Sequence, residues 1–142
     1  MSIIKMYVTA SAATLASASI DIPANGIIRT ITMGMFNYDT APGTSNEQTA
    51  AELTFLSSPQ YSSNDVRGSL CQISSGLFFA DAARLSLSGD PFCILTPIAI
   101  KVMAGERVYL HCTPGGSAVA SVIAYLFIDD GIDVARAQTR RR

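Results

Sequence analysis

Residues that favour turns interrupt this sequence at short intervals, and the segments between them alternate apolar and polar side chains. Glycine, proline, asparagine and serine recur every ~8–15 residues, for example in the segments 40–48, 57–68 and 113–116. No window shows a sustained period of 3.6 residues with a capping residue at each end, which an amphipathic helix would require. The chain is therefore predicted to fold as an all-β protein.

The number and spacing of these segments predict one antiparallel β-sandwich or jelly roll of about eight strands. A chain of 142 residues has the length of a single domain and can bury about two-thirds of the surface that it exposes when unfolded. We expect the domain to span residues 1–132 and a flexible basic tail to span residues 133–142. The Ala/Ser-rich stretch at 10–19 fits a strand, a loop or a terminal arm.

Two segments carry specific strand signals. In "SIDIPANGIIRTITMGMFNYD", residues 19–39, Asn25-Gly26 predicts the turn of a hairpin, because both residues tolerate a positive φ. The alternation that follows predicts four side chains on one face: Ile27, Ile31, Met33 and Met35. Pro97 divides "FCILT" from "IAIKVM", and since proline cannot donate a hydrogen bond to a sheet, it indicates an edge strand, a bulge or a change of sheet.

Few charged side chains are available to cover the outside of such a sandwich. Charged residues make up 15% of the chain and hydrophobic residues 49%, whereas an ordinary soluble domain has about 25% charged residues. We expect the neutral surface to be covered by copies of the chain in a homo-oligomer, with a trimer as the expected form. No membrane partner is expected, because no run approaches the roughly 20 apolar residues of a spanning helix. The first residues are too polar for a secretory signal.

Charge is distributed unevenly between the body and the end of the chain. Residues 1–132 carry six basic and ten acidic side chains, a net charge of −4, whereas residues 133–142 carry Asp133 and four arginines, a net charge of +3. These arginines are Arg136, Arg140, Arg141 and Arg142. They are candidate contacts to nucleic acid or to an acidic neighbouring subunit, and the plainer interpretation is a solvated end. The body lacks the clustered basic and aromatic residues of a folded nucleic-acid-binding surface.

The single histidine, His111, lies in the predicted strand "RVYLHC". One histidine cannot supply the several that a cupin metal site uses. Alternation places it beside Arg107 and Tyr109 and on the face opposite to Cys112, which excludes a Cys-His catalytic pair in a regular strand. We interpret it as a surface or interface histidine with local hydrogen bonds.

Other site motifs are absent or have a plainer interpretation. The three cysteines lack a CxxC pair and are expected to be buried free thiols: Cys71, Cys93 and Cys112. The segment "DDGID" offers carboxylates for calcium, but without the EF-hand spacing it more simply marks the solvated exit of the last strand. There is no GxSxG elbow and no phosphate-binding loop. We therefore expect no enzyme, no cofactor and no bound metal.

The last third of the chain has a recognisable order of strands and turns. In "ILTPIAIKVMAGERVYLHCTPGGSAVASVIAYLFID", residues 94–129, extended segments are joined by the turn Ala104-Gly105-Glu106 and by a Gly-rich turn. This segment resembles the closing strands of phage head-decoration and minor capsid proteins built on one jelly roll. It also resembles trimeric jelly rolls of the tumour-necrosis-factor and complement type. We prefer the phage family, because secreted ligands of the second type usually carry a signal or a membrane anchor.

The resemblance to the phage family implies a structural role in the virion. The chain would be a capsid decoration (cement) or minor capsid subunit, assembled in the host cytoplasm and bound to the major capsid protein or other virion subunits. Terminal arms would order on neighbouring subunits, and nucleic acid would be met only through the basic tail. The alternative is a carbohydrate- or receptor-binding module of a viral fibre or spike, since five tyrosines could line a sugar-binding face. A soluble enzyme ranks third.

Overall fold

The polypeptide forms strands and turns in every part that the structure describes. This computed structural model describes residues 1–11, 13–39, 47–61, 69–81, 84–88, 91–115 and 118–130, and the predicted all-β class is confirmed. The ten strands of these ranges are β1 (Ser2–Ser11), β2 (Ala16–Asp21), β3 (Gly26–Asp39), β4 (Glu47–Thr54), β5 (Ser69–Asp81), β6 (Arg84–Ser88), β7 (Phe92–Leu95), β8 (Ile100–Val102), β9 (Arg107–Thr113) and β10 (Ala118–Asp130).

The strands form two antiparallel sheets of five strands each. In sheet A, β10 lies between β1 and β3, and β7 and β8 pair with the other side of β3. In sheet B, the order is β2-β9-β4-β5-β6. The first strand thus pairs with the last, β2 with β9, β3 with β7 and β8, and β4 with β5. This nested antiparallel pairing across two sheets is the winding of a jelly roll.

Two additions raise the expected eight strands to ten. β7 and β8 lie end to end along one edge of β3, opposite Ile31–Gly34 and Gly26–Ile28. The cis peptide Thr96-Pro97 separates them, and in the gap the Ile98 N–H donates to the Arg29 carbonyl at 3.0 Å. Of the three alternatives that Pro97 indicated, the structure shows the edge position, where a missing N–H is tolerated. The second addition is β6, which forms a hairpin with β5 at the edge of sheet B.

The hairpin predicted around Asn25-Gly26 is wrong. β2 belongs to sheet B and β3 to sheet A, so this segment crosses between the sheets instead of turning back within one. Ile22 is buried between the sheets, and its N–H donates to the Glu106 carbonyl at 2.7 Å. The Asn25 side chain accepts a hydrogen bond from the Ala104 N–H at 2.8 Å. Gly26 is required for space, since a Cβ there would collide with the Asp129 carbonyl oxygen.

Alternation along the strands fills the space between the sheets with one apolar core. On β10, every second residue from Ala120 to Ile128 is buried, and β1 follows the same pattern from Ile4 to Ala10. Cys71 and Cys112 are buried free thiols, as predicted, and Cys93 is a free thiol that is only half-buried. The buried members are Ile4, Met6, Val8, Ala10, Ile22, Ile28, Ile31, Met33, Met35, Ala51, Leu53, Cys71, Ile73, Val102, Val108, Leu110, Cys112, Ala120, Val122, Ala124, Leu126 and Ile128.

A bulge shifts the alternation of β3 by one residue. The register between β3 and β10 changes at Phe127/Ile128, where Ile128 pairs with Ile28 and Phe127 pairs with Thr30. Ile28 is therefore fully buried, whereas Ile27 is half-buried. The predicted shared face is right for Ile31, Met33 and Met35 and wrong for Ile27. A bulge adds one residue to a strand, and the order of apolar and polar residues in the sequence does not reveal it.

The described part of the Ala/Ser-rich stretch at 10–19 is shared by two strands. Its first residues end β1 and its last residues begin β2. Between them, Ala13 has a positive φ of 57° and the Thr14 N–H donates to the Ser11 carbonyl at 3.1 Å. The predicted tail, residues 133–142, lies outside the described residues.

Replacing Leu110 by alanine is expected to lower the free energy of unfolding by about 2–5 kcal/mol. Leu110 lies on β9 with no solvent exposure, so the truncation leaves a cavity between the sheets. The matched control is Leu15→Ala, at a residue that is 46% exposed in the turn before β2. It is expected to change stability by less than about 0.5 kcal/mol. Chemical denaturation measures both, and equal losses would contradict the described core.

Candidate functional site

The outward side chains of sheet A form an apolar surface. Because paired residues of antiparallel strands share a face, Ile3 lies beside Phe127, Tyr7 beside Ile123, and Tyr125 beside Thr32. At the edge strand β7, Phe92 pairs with Gly34 and Ile94 pairs with Thr32. We call this surface the apolar face, and its large members are Ile3, Tyr7, Phe36, Phe92, Ile94, Ile123, Tyr125 and Phe127.

Five members of the apolar face are largely open to solvent. Phe92 is 72% exposed, Ile94 69% and Phe36 68%, and Ile3 and Tyr7 are each more than half exposed. With about 200 Å² for each large side chain, these fractions leave roughly 600 Å² of side-chain surface in water. The largest apolar patch of an ordinary monomer is about 300–600 Å². The apolar face is therefore at the upper limit of what a monomer exposes, before its three half-buried members are added.

Polar groups border the apolar face at two ends. At one end, the Arg29 guanidinium forms an ion pair with the Asp129 carboxylate at 2.8 Å. At the other end, the Thr9 hydroxyl donates to the Tyr7 hydroxyl at 2.8 Å, and hydrogen bonds with Ser121 and Thr9 lower the pKa of Tyr7. An apolar centre with a polar border is the usual composition of a protein interface.

The outer face of sheet B is polar and carries a row of four hydrogen-bonding residues. Ser17 on β2 pairs with His111 on β9, His111 pairs with Glu52 on β4, and Glu52 pairs with Gln72 on β5. These four residues, which we call the polar row, cross four neighbouring strands at one level. Ser17 and Gln72 are exposed at its ends, whereas Glu52 and His111 are fully buried at its centre.

The Glu52 carboxylate is held by hydrogen-bond donors. Its Oε1 accepts a hydrogen bond from the Gln60 N–H at 2.6 Å, and its Oε2 accepts from the Ser69 hydroxyl at 2.8 Å and the Gln72 amide at 2.7 Å. Within the described ranges, no cationic side chain forms an ion pair with it. In the described residues, these three donors supply hydrogen bonds that the buried carboxyl group would otherwise make with water.

His111 is fully buried, contrary to the predicted surface position. Its Nε2 lies 3.0 Å from the Leu56 carbonyl, which can only accept, so Nε2 carries a proton. In the neutral ring, Nδ1 then accepts from the Ser17 hydroxyl at 2.6 Å. Its ring stacks on Tyr109 with 5.7 Å between the ring centroids. The predicted strand face is confirmed. The hydrogen bonds come from distant parts of the chain, and the predicted exposure is wrong because a chain segment covers the ring.

The covering segment is Phe55–Tyr61, which directly follows β4. Two groups of the polar row hold its backbone: His111 donates to the Leu56 carbonyl and Glu52 accepts from the Gln60 N–H. The Tyr61 hydroxyl forms a hydrogen bond with the Thr113 hydroxyl, and burial raises the pKa of Tyr61. Glu52 and His111 in the polar row thus form hydrogen bonds with the chain's own atoms.

The other predicted site residues are not brought together by the described structure. Arg136, Arg140, Arg141 and Arg142 lie outside the described residues. In "DDGID", Asp129 is paired with Arg29, and Asp130 lies 4.0 Å from the N-terminal amine. In the described part of the chain, no three His, Cys, Asp or Glu residues are grouped as metal ligands.

The tyrosines do not share one surface. Tyr7 and Tyr125 lie on the outer side of sheet A. Tyr61 and Tyr109 lie at the outer side of sheet B, where Tyr61 is hydrogen-bonded to Thr113 and Tyr109 stacks on His111. The side chain of Tyr38 lies outside the described residues. A single sugar-binding face lined by tyrosines is therefore not formed by these four.

Sequence reasoning missed both the apolar face and the burial of Glu52. A signal for the apolar face exists in "SVIAYLFID", where Ile123, Tyr125 and Phe127 make the second parity apolar as well as the first. A strand that is apolar on both faces must be covered on both faces. No comparable signal exists for Glu52, because the segment that buries it has an ordinary polar loop composition.

Comparisons with known proteins add a weak structural similarity. No family model and no curated protein matches the chain. Among solved structures, PliG of Aeromonas hydrophila, a periplasmic inhibitor of g-type lysozyme, has a TM-score of 0.41 at 11% identity, over 89% of this chain and 86% of that chain. The VP2 subviral particle of infectious bursal disease virus has a TM-score of 0.23 at 12% identity, over 91% of this chain and 38% of that chain. The assignment of the fold rests on the strand order.

In the ranges described above, no helix is long and apolar enough to cross a membrane.

Replacing Glu52 by alanine is expected to lower the free energy of unfolding by at least about 2 kcal/mol, because three donors lose their acceptor beneath the covering segment. Hydrogen exchange measured by mass spectrometry should show faster exchange in the peptide that contains residues 55–61. Gln72→Ala is the control, since it removes one donor at an exposed position and leaves the Gln60 contact in place. Unchanged protection of that peptide in Glu52→Ala would show that the carboxylate does not hold the segment.

Proposed function

We propose that this protein is a structural subunit that works by associating with copies of itself through the apolar face, and that it serves in a virion as a capsid decoration or minor capsid protein. The observation that carries the proposal is the exposure of Phe92 and Ile94, together with Ile3 and Tyr7, on one outer face of the sandwich. Burial of apolar surface is the main favourable term in protein association. A face of this kind is kept in water only at a cost unless a partner covers it.

The dimensions and charge of the apolar face favour a second copy as the partner. Its five most exposed side chains supply roughly 600 Å², close to the ~800 Å² that each partner contributes to a standard interface. On β1, the charged residue Lys5 lies between Ile3 and Tyr7 and points to the same side of the sheet. This part of the apolar face therefore offers little charge for recognising an acidic or basic partner. Every copy carries the same apolar surface, so copies arranged around a symmetry axis can cover one another's apolar faces.

The outer face of sheet B also supports sheet A as the side that contacts other copies. Phe55–Tyr61 and the polar row satisfy one another on sheet B, so that side already has a cover. A jelly roll whose described strands carry an exposed apolar face, with a neutral composition, suits a shell component, which needs contact surface and little chemistry. In the virion, the arginines of the tail would pair with acidic capsid surface or with genome phosphates.

A variant with both Phe92→Glu and Ile94→Glu is expected to dissociate the assembly to single chains. The two carboxylates would have to be buried without partners, so the dissociation constant should rise by about tenfold or more. Sedimentation velocity measures the change, and the wild-type chain is expected to sediment as a trimer. Both residues point outward, so circular dichroism should show a retained fold.

The control is Leu15→Glu, which places one carboxylate at an exposed leucine in the turn before β2. It should sediment as the wild type does. A monomeric wild-type chain, or an assembly that tolerates both glutamates, would contradict self-association through the apolar face.

The virion role is tested with capsids that lack the protein. Purified wild-type chain is expected to add to such capsids and to raise the temperature at which they disassemble, whereas the Phe92→Glu, Ile94→Glu variant is not. Binding to a glycan array without any association with capsids would favour the carbohydrate-binding alternative and overturn the virion role. The two tests are separable, because self-association can be present without capsid binding.

A further inference from the structure

Two thiols face each other across the interior of the sandwich. Cys71 pairs with Leu53 in sheet B and Cys93 pairs with Met33 in sheet A. Leu53 and Met33 are both buried in the core, and since directly paired residues share a face, both cysteines point inward. β5 and β7 contact each other, and Cys93 packs against the buried core cluster to which Cys71 belongs.

We propose that Cys71 and Cys93 form a disulfide that joins the two sheets when the folded protein meets a small-molecule disulfide oxidant. The step is a thiol-disulfide exchange in two stages. The thiolate of one cysteine attacks the oxidant and forms a mixed disulfide, releasing one small thiol. The second cysteine then attacks the mixed disulfide, forms the bond between residues 71 and 93 and releases a second small thiol. The two cysteines lose two electrons and two protons, and the oxidant gains both.

The surroundings of the two thiols set the order of the stages. Cys93 is half-buried on the edge strand β7, so the oxidant reaches it first, whereas Cys71 is buried. Burial raises the pKa of the Cys71 thiol, and its contact with Cys93 raises that pKa further. The closing stage is therefore the slow one, and it should accelerate as the pH rises, because exchange requires the thiolate.

The position of Cys93 on a short edge strand favours the movement that bond formation requires. β7 has four residues and lies at the edge of sheet A, with β3 as its partner in that sheet. An edge strand of this length can shift without breaking a second row of sheet hydrogen bonds. The bond would link sheet A to sheet B directly, where side-chain packing now holds them together.

Cys112 is a control supplied by the chain itself. It is buried on β9, where burial raises its pKa to about 11, and no other cysteine contributes to that pKa. We expect it to remain a thiol under conditions in which the other two react.

The experiment treats the reduced, folded chain with oxidised glutathione, blocks remaining thiols by alkylation after unfolding, and measures the mass of each chain. We expect two of the three cysteines to escape alkylation, with no glutathione retained and a peptide that links positions 71 and 93. Cys112→Ser should form the same link. Cys93→Ser should leave Cys71 as a free thiol.

Three results would overturn the proposal. They are three alkylated cysteines after prolonged treatment, a stable glutathione adduct on Cys93 with Cys71 still free, or consumption of Cys112 at the same rate as the other two. The readout is the mass of the single chain, so it is independent of whether the protein self-associates.

Discussion

The structure depends on the two-residue period of β10, the strand that lies between β1 and β3. One parity, from Ala120 to Ile128, enters the core, and the other presents Ile123, Tyr125 and Phe127 to the outside. Sheet A is thus apolar on both sides at its centre, and only the inner side is covered by sheet B. The jelly-roll winding, which brings the first and last strands together, extends this second apolar layer across the sheet.

The outer faces of the two sheets differ in whether a segment of the chain covers them. On sheet B, Glu52 and His111 bind backbone groups of the segment that follows β4, and the chain satisfies its own polar row. On sheet A, the described strands leave Phe36, Phe92 and Ile94 in water. This asymmetry is the physical basis for proposing that sheet A makes the contacts between copies, since a self-covered polar face gains little from a partner.

Local signals in the sequence predicted the strands better than their partners. Alternation identified the shared face of Ile31, Met33 and Met35 on β3, and Pro97 indicated an edge strand as one of three alternatives. The hairpin at Asn25-Gly26 was wrong because turn propensity is local, whereas Ile22 is drawn between the sheets by contacts with the β8–β9 turn. The apolar face joins residues as distant as Ile3 and Phe127, and His111 is buried by a segment some fifty positions earlier. Such long-range pairings have no local signature.

The central claim is that a second copy covers the outer side of sheet A. Hydroxyl-radical footprinting of the wild-type chain, with the oxidation of each residue measured at low and at high protein concentration, tests it most directly. Phe36 and Phe92 should become protected as the concentration rises, while Leu15 and Leu56, which are exposed away from this face, should stay equally reactive. Phenylalanines that remain fully reactive in a demonstrated oligomer would contradict the account.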